Sequence, residues 1–306
     1  MKVAFIFPGQ GAQYVGMGQD FYQQSPQAKT IFDQADNILK NNLRRVIFEG
    51  PAEQLTSTAY CQPAIFTMSI AALKALEAHP IFEKIEPCFA AGLSLGECTA
   101  LAAAEALSFE DTLRLVSRRS ALMEEACKMS KGKMYAIIGL ERPQVTEICQ
   151  QTGAEVANFN SPQQIVITGH ADKSDEAAKK LAEAGAKSVI PLDVSGAFHS
   201  SLMKPAADKF VQELEKFNFQ NSKFPIVSNV DGKPASDPEA IRCNLARQIT
   251  SSVQWVISIE NMVNGGIQNF IEIGPGKVLK GLIRRINKDV NVHNIEKFED
   301  IARLQL

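Results

Sequence analysis

The 306 residues suffice for one large domain, or for a large domain that carries a smaller one, and a hydrophobic content of 45% predicts a full core. A formal net charge of -2 lacks the broad cationic field of a nucleic-acid-binding protein, so we expect small molecules or proteins as partners. Six cysteines without a CxxC pair and four scattered histidines predict no metal site, and the absence of a long apolar run or signal peptide predicts a soluble, cytoplasmic protein.

The first half of the chain alternates predicted strands with predicted helices. An apolar run at residues 3–7, cut off by Pro8-Gly9, is typical of a strand buried on both faces of a parallel sheet. A shorter run at 87–91 predicts a second strand that leads into Gly92. Helical periodicity covers residues 26–41, 62–78, 95–106 and 109–127. This alternation predicts the α/β class.

From Met134 onward the order of predicted elements changes to strand, helix, strand, strand, helix, strand. This is the order of a ferredoxin-like α+β unit. We therefore predict a small domain at residues 128–197, inserted into a large domain of residues 1–127 and 198–306 with a parallel sheet. The second part of the large domain carries predicted helices at 201–216, 237–249 and 277–287, and predicted strands in FPIVSNV and at 270–273.

A serine lies at the predicted turn between the second strand and its helix, in the pentapeptide Gly92-Leu93-Ser94-Leu95-Gly96. Glycines two residues before and after a serine allow the sharp turn of a nucleophile, and the helix N-terminus stabilises negative charge there. The same segment also fits a capping box, in which Ser94 caps the helix and Glu97 reciprocates. The pentapeptide alone leaves both interpretations open.

One histidine, His199, follows the predicted small domain directly and is the candidate general base. An isolated histidine is more often a structural residue, and nearby serines could satisfy its hydrogen bonds. The order serine then histidine fits a hydrolase-like arrangement. No aspartate between the two is an evident third member, since Asp193 belongs to the strand that leads into the loop.

An arginine, Arg119, lies on the apolar face of its predicted helix, in line with Leu115 and Leu122. A guanidinium group is rarely buried unless it is paired. It could form a structural salt bridge with an internal carboxylate, or it could bind the carboxylate of a substrate in bidentate fashion. The second interpretation predicts an acyl pocket that selects a dicarboxylic half-thioester.

Taken together, these residues and several further motifs resemble the malonyl-CoA:acyl carrier protein transacylases. The resemblance extends nearly from end to end of the chain, and its signatures are FPGQG at 7–11, GLSLGE at 92–97, the Arg119 helix, NFNSPQQIVITGH, GAFHSSLMKPAADK, VSNVDG, Arg247-Gln248, VQW at 253–255 and GPG at 274–276. It implies a hydrolase-like large domain, a ferredoxin-like small domain and an active site in the cleft between them.

The resemblance also implies the role of each site residue. The implied roles are nucleophile for Ser94, base for His199, oxyanion-hole N–H groups for Gln10 and Leu95, malonyl carboxylate binding for Arg119, and a main-chain carbonyl that orients the histidine for Gln248. It further implies transfer of malonyl from malonyl-CoA to the phosphopantetheine thiol of acyl carrier protein in fatty acid biosynthesis, with ping-pong kinetics and no cofactor.

Two positions beside the catalytic residues bear on selectivity. Phe198 matches the family's malonyl-selective AFH pattern, in which a bulky ring crowds an α-methyl branch, although it could also be plain core packing. Leu93 departs from the family, because most members carry histidine before the nucleophile, and this departure leaves the polarity of the pocket wall open.

The partner surface and the pathway are less well defined by the sequence. Acyl carrier proteins are acidic, so basic residues near the cleft are candidates for docking: Lys277, Lys280, Arg284 and Arg285. Such a run could equally be an ordinary solvated face. Alternative functions are an acyltransferase that serves a polyketide synthase, an acyl-thioester hydrolase, and a scaffold with a decayed site. We expect a monomer, as is usual in the family.

Overall fold

Two β-sheets organise the chain in the computed structural model, which describes residues 1–304. The last two residues of the predicted large domain lie outside the described residues. The strands in the described range are β1 (Lys2–Phe7), β2 (Glu86–Gly92), β3 (Gly132–Ile138), β4 (Glu155–Ser161), β5 (Gln164–His170), β6 (Ser188–Pro191), β7 (Ile226–Val227), β8 (Pro234–Ala235), β9 (Asn269–Ile273) and β10 (Asn291–Ile295).

Helices cover these sheets. They are α1 (Gln19–Gln24), α2 (Pro26–Leu39), α3 (Leu43–Glu49), α4 (Ala52–Thr56), α5 (Thr58–Glu77), α6 (Leu95–Ala103), α7 (Phe109–Met129), α8 (Arg142–Thr152), α9 (Ala171–Glu183), α10 (Lys204–Leu214), α11 (Pro238–Gln248), α12 (Trp255–Asn264), α13 (Val278–Ile286) and α14 (Phe298–Ala302), with short 3₁₀ segments at Pro80–Lys84 and Ser201–Met203. Among the described residues, no helix combines the length and the apolar character needed to cross a membrane.

The larger sheet has six strands in the order β10-β9-β1-β2-β7-β8. All neighbouring strands run parallel except β8, which pairs antiparallel with β7. Strands β1 and β2 lie side by side, and Phe7 is opposite Gly92 at their carboxyl ends. The loop after β1, which contains Gln10, therefore lies beside the turn after β2, which contains Ser94.

Two long helices, α5 and α7, pack together beside the larger sheet. Helix α5 is apolar on all sides and almost wholly buried, which is typical of a central helix. Helix α7 packs against it and is capped by Ser108, whose Oγ accepts a hydrogen bond from the Asp111 N–H at 3.0 Å. Acidic residues in the first turn of α7 and Lys128 in its last turn complement the helix dipole. This packing turns the Arg119 side of α7 toward the protein interior.

The smaller sheet has four antiparallel strands in the order β4-β5-β3-β6, with α8 and α9 as its helices. This is the predicted ferredoxin-like arrangement. The smaller sheet is tied to the rest of the chain through Val253, which accepts from the Phe159 N–H at 2.9 Å and donates to the Ala157 carbonyl at 2.8 Å. The segment after α11 thus lies against β4.

The sequence predicted the α/β class and most elements correctly, and the differences have local causes. The predicted strand in FPIVSNV is reduced to Ile226–Val227, because the chain turns at Ser228 and Asn229 toward the end of β2. The helix predicted from residue 62 begins at Thr58 and contains Pro63 within it. The division into two domains at 128–197 stays a prediction, although β3 to β6 all lie inside that range.

Candidate active site

Ser94 occupies the sharp turn between β2 and α6. Its backbone has φ 54° and ψ −99°, a conformation that residues other than glycine rarely adopt outside functional sites. A Cβ on Gly92 would lie 2.0 Å from the carbonyl carbon of Gly96, and a Cβ on Gly96 would lie 2.1 Å from the Phe7 oxygen. Both positions therefore require glycine because the backbone passes too closely for any side chain.

The capping-box interpretation of this turn is wrong. The Ser94 side chain forms no capping hydrogen bond with α6, and the Ser94 N–H donates to Asn229 Oδ1 at 2.7 Å. Glu97 turns inward, where its Oε2 accepts from the Asn229 N–H and from Gln248 Nε2. The serine hydroxyl is thereby left free for other partners.

His199 is one of those partners. Its Nε2 lies 2.8 Å from Ser94 Oγ, and its Nδ1 lies 3.0 Å from the Gln248 carbonyl and 3.1 Å from the Ser251 carbonyl. Carbonyl oxygens only accept, so Nδ1 carries the hydrogen and Nε2 is free to accept the Ser94 proton. Asp193 forms no hydrogen bond with the ring within residues 1–304. The residue opposite Nδ1 is therefore a neutral acceptor where a triad would have a carboxylate.

The surroundings of His199 keep the ring neutral. The residue is 4% exposed, and this burial, aided by the positive charge of Arg119, lowers the pKa of His199 to about 4. The two hydrogen bonds to carbonyl oxygens act in the opposite direction but are weaker. At neutral pH the imidazole is consequently unprotonated, and its Nε2 is available to accept a proton.

Arg119 is the other partner of the serine. Its Nη1 donates to Gln62 Oε1 at 2.7 Å, and its Nη2 donates to Gln248 Oε1 at 2.8 Å and to Ser94 Oγ at 3.0 Å. The internal salt bridge considered for Arg119 is wrong, since no carboxylate in the described chain lies within 4.0 Å of its guanidinium. Only 1% of the residue is exposed, and burial lowers its pKa. A buried guanidinium held by neutral groups retains the capacity to bind an anion.

Ser94 and His199 line a cavity of about 370 Å³ between the two sheets, and the Arg119 guanidinium reaches its wall through hydrogen bonds to Ser94 Oγ and to Gln62, which also lines the cavity. The large-sheet side contributes Gln10, Leu93 and Leu95. The smaller sheet contributes Met134, Asn158, Asn160 and Val166. Phe198 lies in the wall beside His199 and is 7% exposed. The cavity is therefore large enough for a small acyl group and part of its carrier.

Gln10 and Leu95, the residues whose main-chain N–H groups are the candidate oxyanion donors, line the same cavity. Neither N–H donates a hydrogen bond to another group in the part of the chain that the structure describes. Leu95 is the first residue of α6, so its N–H also lies at the positive end of a helix dipole. The two groups can donate to a developing oxyanion.

Several residues of the site gave no recognised signal in the sequence. Gln62 and Asn229 contact Arg119 and the Ser94 turn through side-chain amides, and Ser251 contacts His199 through its carbonyl. The local signal for Gln62 is an amide side chain in a mostly apolar helix. No group of three or more His, Cys, Asp or Glu residues in the described range is arranged to hold a metal ion.

The chain matches the acyl transferase domain family over residues 4–305. A malonyl CoA-acyl carrier protein transacylase of Staphylococcus aureus is 43% identical over 305 residues, which cover 98% of this chain and 97% of that protein. The Bacillus subtilis transacylase is 44% identical over 292 residues, 94% of this chain and 91% of that protein. The chain belongs to the malonyl-CoA:acyl carrier protein transacylase family.

Solved structures of this family share the fold. The acyl-carrier-protein S-malonyltransferase of Bartonella henselae superposes with a TM-score of 0.95 at 40% identity, covering 99% of this chain and 98% of that chain. A malonyl-transacylase solved in complex with an acyl carrier protein of a type II polyketide synthase has a TM-score of 0.93 at 36% identity, with 99% and 98% coverage. These likenesses confirm the predicted fold class.

The basic residues considered for carrier docking lie on α13 or directly before it. Lys277 precedes α13 as its N-cap and does not belong to the helix, and it lies 3.8 Å from Glu296. Arg285 donates to Gln164 Oε1 of the smaller sheet at 2.9 Å. Arg284 is exposed, and Val278 and Leu282 of the same helix line the cavity. Helix α13 thus joins a basic surface to the cavity wall.

Proposed function

We propose that this acyltransferase moves malonyl from malonyl-CoA to the phosphopantetheine thiol of acyl carrier protein through a malonyl ester of Ser94. The observation that carries the proposal is the position of Arg119. Its guanidinium lies 3.0 Å from Ser94 Oγ, is buried and has no carboxylate partner in residues 1–304. A thioester that brings its own carboxylate to this guanidinium is held with its carbonyl near the nucleophile.

In the first half-reaction, Ser94 Oγ attacks the thioester carbonyl while its proton passes to His199 Nε2. Negative charge on the carbonyl oxygen is stabilised by the N–H groups of Gln10 and Leu95. The tetrahedral intermediate collapses, the carbon–sulfur bond breaks, and the proton on His199 passes to the departing coenzyme A thiolate. Malonyl remains on Ser94 as an ester.

The second half-reaction reverses these steps with a different thiol. The pantetheine thiol of the carrier protein gives its proton to His199 Nε2 and attacks the ester carbonyl. The carbon–oxygen bond to Ser94 breaks, and the serine oxygen takes the proton back from His199. Neutral His199 is needed at the start of both half-reactions, which agrees with its lowered pKa.

We further propose that the carrier protein docks beside α13. Lys277, Lys280, Arg284 and Arg285 place positive charge where an acidic carrier protein would approach. The similar structure with a polyketide-type carrier and the Staphylococcus aureus relative are both named for acyl carrier protein, so the carrier that this chain prefers decides the pathway in which it acts. We propose fatty acid biosynthesis, in which the curated relatives' carrier protein is the acceptor.

Intact-mass measurement after mixing with malonyl-CoA tests this function directly. We expect the protein to gain the mass of one malonyl group, to carry it on the peptide that contains Ser94, and to lose it when holo acyl carrier protein is added. Ser94→Ala should gain no mass, because within residues 1–304 the Ser94 hydroxyl is the one that is hydrogen-bonded to both His199 and Arg119. A scaffold with a decayed site would show no adduct, and a hydrolase would release malonate without transfer to the carrier.

The ring of Phe198 should favour malonyl over α-methylmalonyl thioesters. Phe198→Ala removes the side chain that borders His199 in the cavity wall, so the preference for malonyl-CoA over methylmalonyl-CoA is expected to fall about tenfold. Ratios of kcat/KM for the two substrates measure the change. An unchanged ratio in a folded variant would assign Phe198 to packing alone.

A further inference from the structure

Glu97 is a buried carboxylate that the transfer reaction does not use. It is 2% exposed, and its two observed partners are neutral donors on one oxygen: the Asn229 N–H at 3.0 Å and Gln248 Nε2 at 2.7 Å, both to Oε2. Burial raises the pKa of Glu97 to about 7, and these two bonds and Arg119 lower it less. A buried carboxylate without an ion-pair partner is costly, so its hydrogen bonds invite a functional explanation.

The first of these partners holds the Ser94 turn. The Asn229 side chain accepts from the Ser94 N–H at 2.7 Å and donates to the Gly92 carbonyl at 2.7 Å. It therefore bridges the two sides of a turn whose central residue has a strained backbone. The Asn229 main chain is fixed at both ends, by its N–H on Glu97 and by its carbonyl, which accepts from the Gln254 N–H at 2.8 Å.

The second partner holds the guanidinium and the serine carbonyl. Gln248 Nε2 donates to Glu97 Oε2 and, at 3.0 Å, to the Ser94 carbonyl, while Gln248 Oε1 accepts from Arg119 Nη2. Two acceptors on one side and a donor on the other fix the orientation of the amide. The main-chain carbonyl of the same residue accepts from His199 Nδ1. Gln248 therefore touches all three reacting side chains or their backbones.

Removal of the Glu97 oxygen would leave two buried N–H donors unpaired, one on each of these partners. Such donors find new acceptors by moving, and both partners here are bonded directly to the Ser94 turn. On this basis we propose that Glu97 is a positioning residue, which holds Ser94 and Arg119 in their relative places through Asn229 and Gln248. The inference rests on the proposed function only where it concerns the binding of a carboxylate by Arg119.

Two measurements separate the effect of Glu97 on the Ser94 turn, through Asn229, from its effect on Arg119, through Gln248. The first is the rate at which a neutral fluorophosphonate labels Ser94, which requires neither malonyl-CoA nor a carrier protein. The second is the inhibition constant of free malonate, which reports on the Arg119 site. If only malonate inhibition fails to respond as expected, the result counts against the proposed function. If Glu97→Ala labels Ser94 at the wild-type rate, the result counts against the positioning role of Glu97.

We expect Glu97→Ala to slow labelling about tenfold and to weaken malonate binding about tenfold, the order expected for one lost hydrogen bond to a charged group. Glu97→Gln retains an acceptor oxygen for both donors and should stay within about threefold of the wild type in both measurements. The matched control is Glu213→Ala, which removes a buried glutamate of α10 whose partners, Arg118 and Lys216, lie outside the cleft. It should alter neither measurement.

Variants of the two partners keep the test decisive if Glu97→Ala does not fold. Asn229→Ala should slow labelling while leaving malonate binding unchanged, and Gln248→Ala should weaken malonate binding. The proposal is overturned if Glu97→Ala behaves as the wild type, if Glu97→Gln is as impaired as Glu97→Ala, or if neither partner variant changes its own measurement.

Discussion

Arg119→Ala is expected to lower kcat/KM for malonyl-CoA by about 100-fold to 1,000-fold. The variant removes a guanidinium that is buried beside Ser94 and has no carboxylate partner among the described residues. A hydrogen bond to a charged group contributes about 1.5–3 kcal/mol, and a bidentate pair makes two of them. Initial rates of malonyl transfer to holo acyl carrier protein measure the loss.

The neighbouring arginine supplies a matched control for this variant. Arg118 lies on the exposed face of α7 and pairs with Glu213 at 2.9 Å, so Arg118→Ala should leave transfer unchanged. Arg119→Lys keeps a positive charge without the planar fork and should recover only part of the activity. Unchanged malonyl transfer by Arg119→Ala would contradict the dicarboxylate selectivity.

His199→Ala should slow formation of the malonyl ester about 1,000-fold. The imidazole Nε2 lies 2.8 Å from Ser94 Oγ, and general base catalysis contributes about 100-fold to 10,000-fold in rate. Rapid-quench mass measurement of the Ser94 ester checks this directly. His170→Ala, at an exposed position, is the control that should retain full activity.

The pH profile supplies a second check on the same residue. The pKa of His199 is lowered to about 4, so the base is neutral throughout the range above it. Activity of the wild type is expected to be level between about pH 5 and 8 with respect to this group, and to fall as the pH drops through about 4 and His199 becomes protonated. The residual activity of His199→Ala should lack that fall. Residual activity within about tenfold of the wild type would contradict the role of the base.

Local patterns in the sequence predicted those features of the structure whose cause is also local. The glycines around Ser94 predicted a sharp turn because steric exclusion acts over a few residues, and the helical register predicted that Arg119 faces inward. The alternation of strands and helices likewise predicted both sheets. Helix α12 and strand β10 are among the elements that were missed, because α12 begins inside the apolar VQWVISI segment without a strong start signal and β10 mixes apolar residues with Asn and His.

The sequence could not predict contacts between distant residues without help from the family resemblance. Asn229 lies 135 residues from Ser94, and Gln248 lies 151 residues from Glu97, yet each pair is hydrogen-bonded. A local motif left a capping role for Glu97 open, and the structure turns this side chain toward Gln248 and Asn229. Because such partners are chosen by the packing of whole helices and sheets, no short window of sequence contains them.

The neutral acceptors opposite His199 Nδ1 also bear on which molecule can take the acyl group from the serine. An imidazole backed by two carbonyls, without a carboxylate, is a weak base. A thiol has a pKa of about 8.5 whereas water has one of about 15.7, so a weak base activates the sulfur nucleophile far more readily than the solvent. If Ser94 carries the acyl group as proposed, we therefore expect the missing aspartate to lengthen the lifetime of the ester in water while leaving it open to attack by a pantetheine thiol.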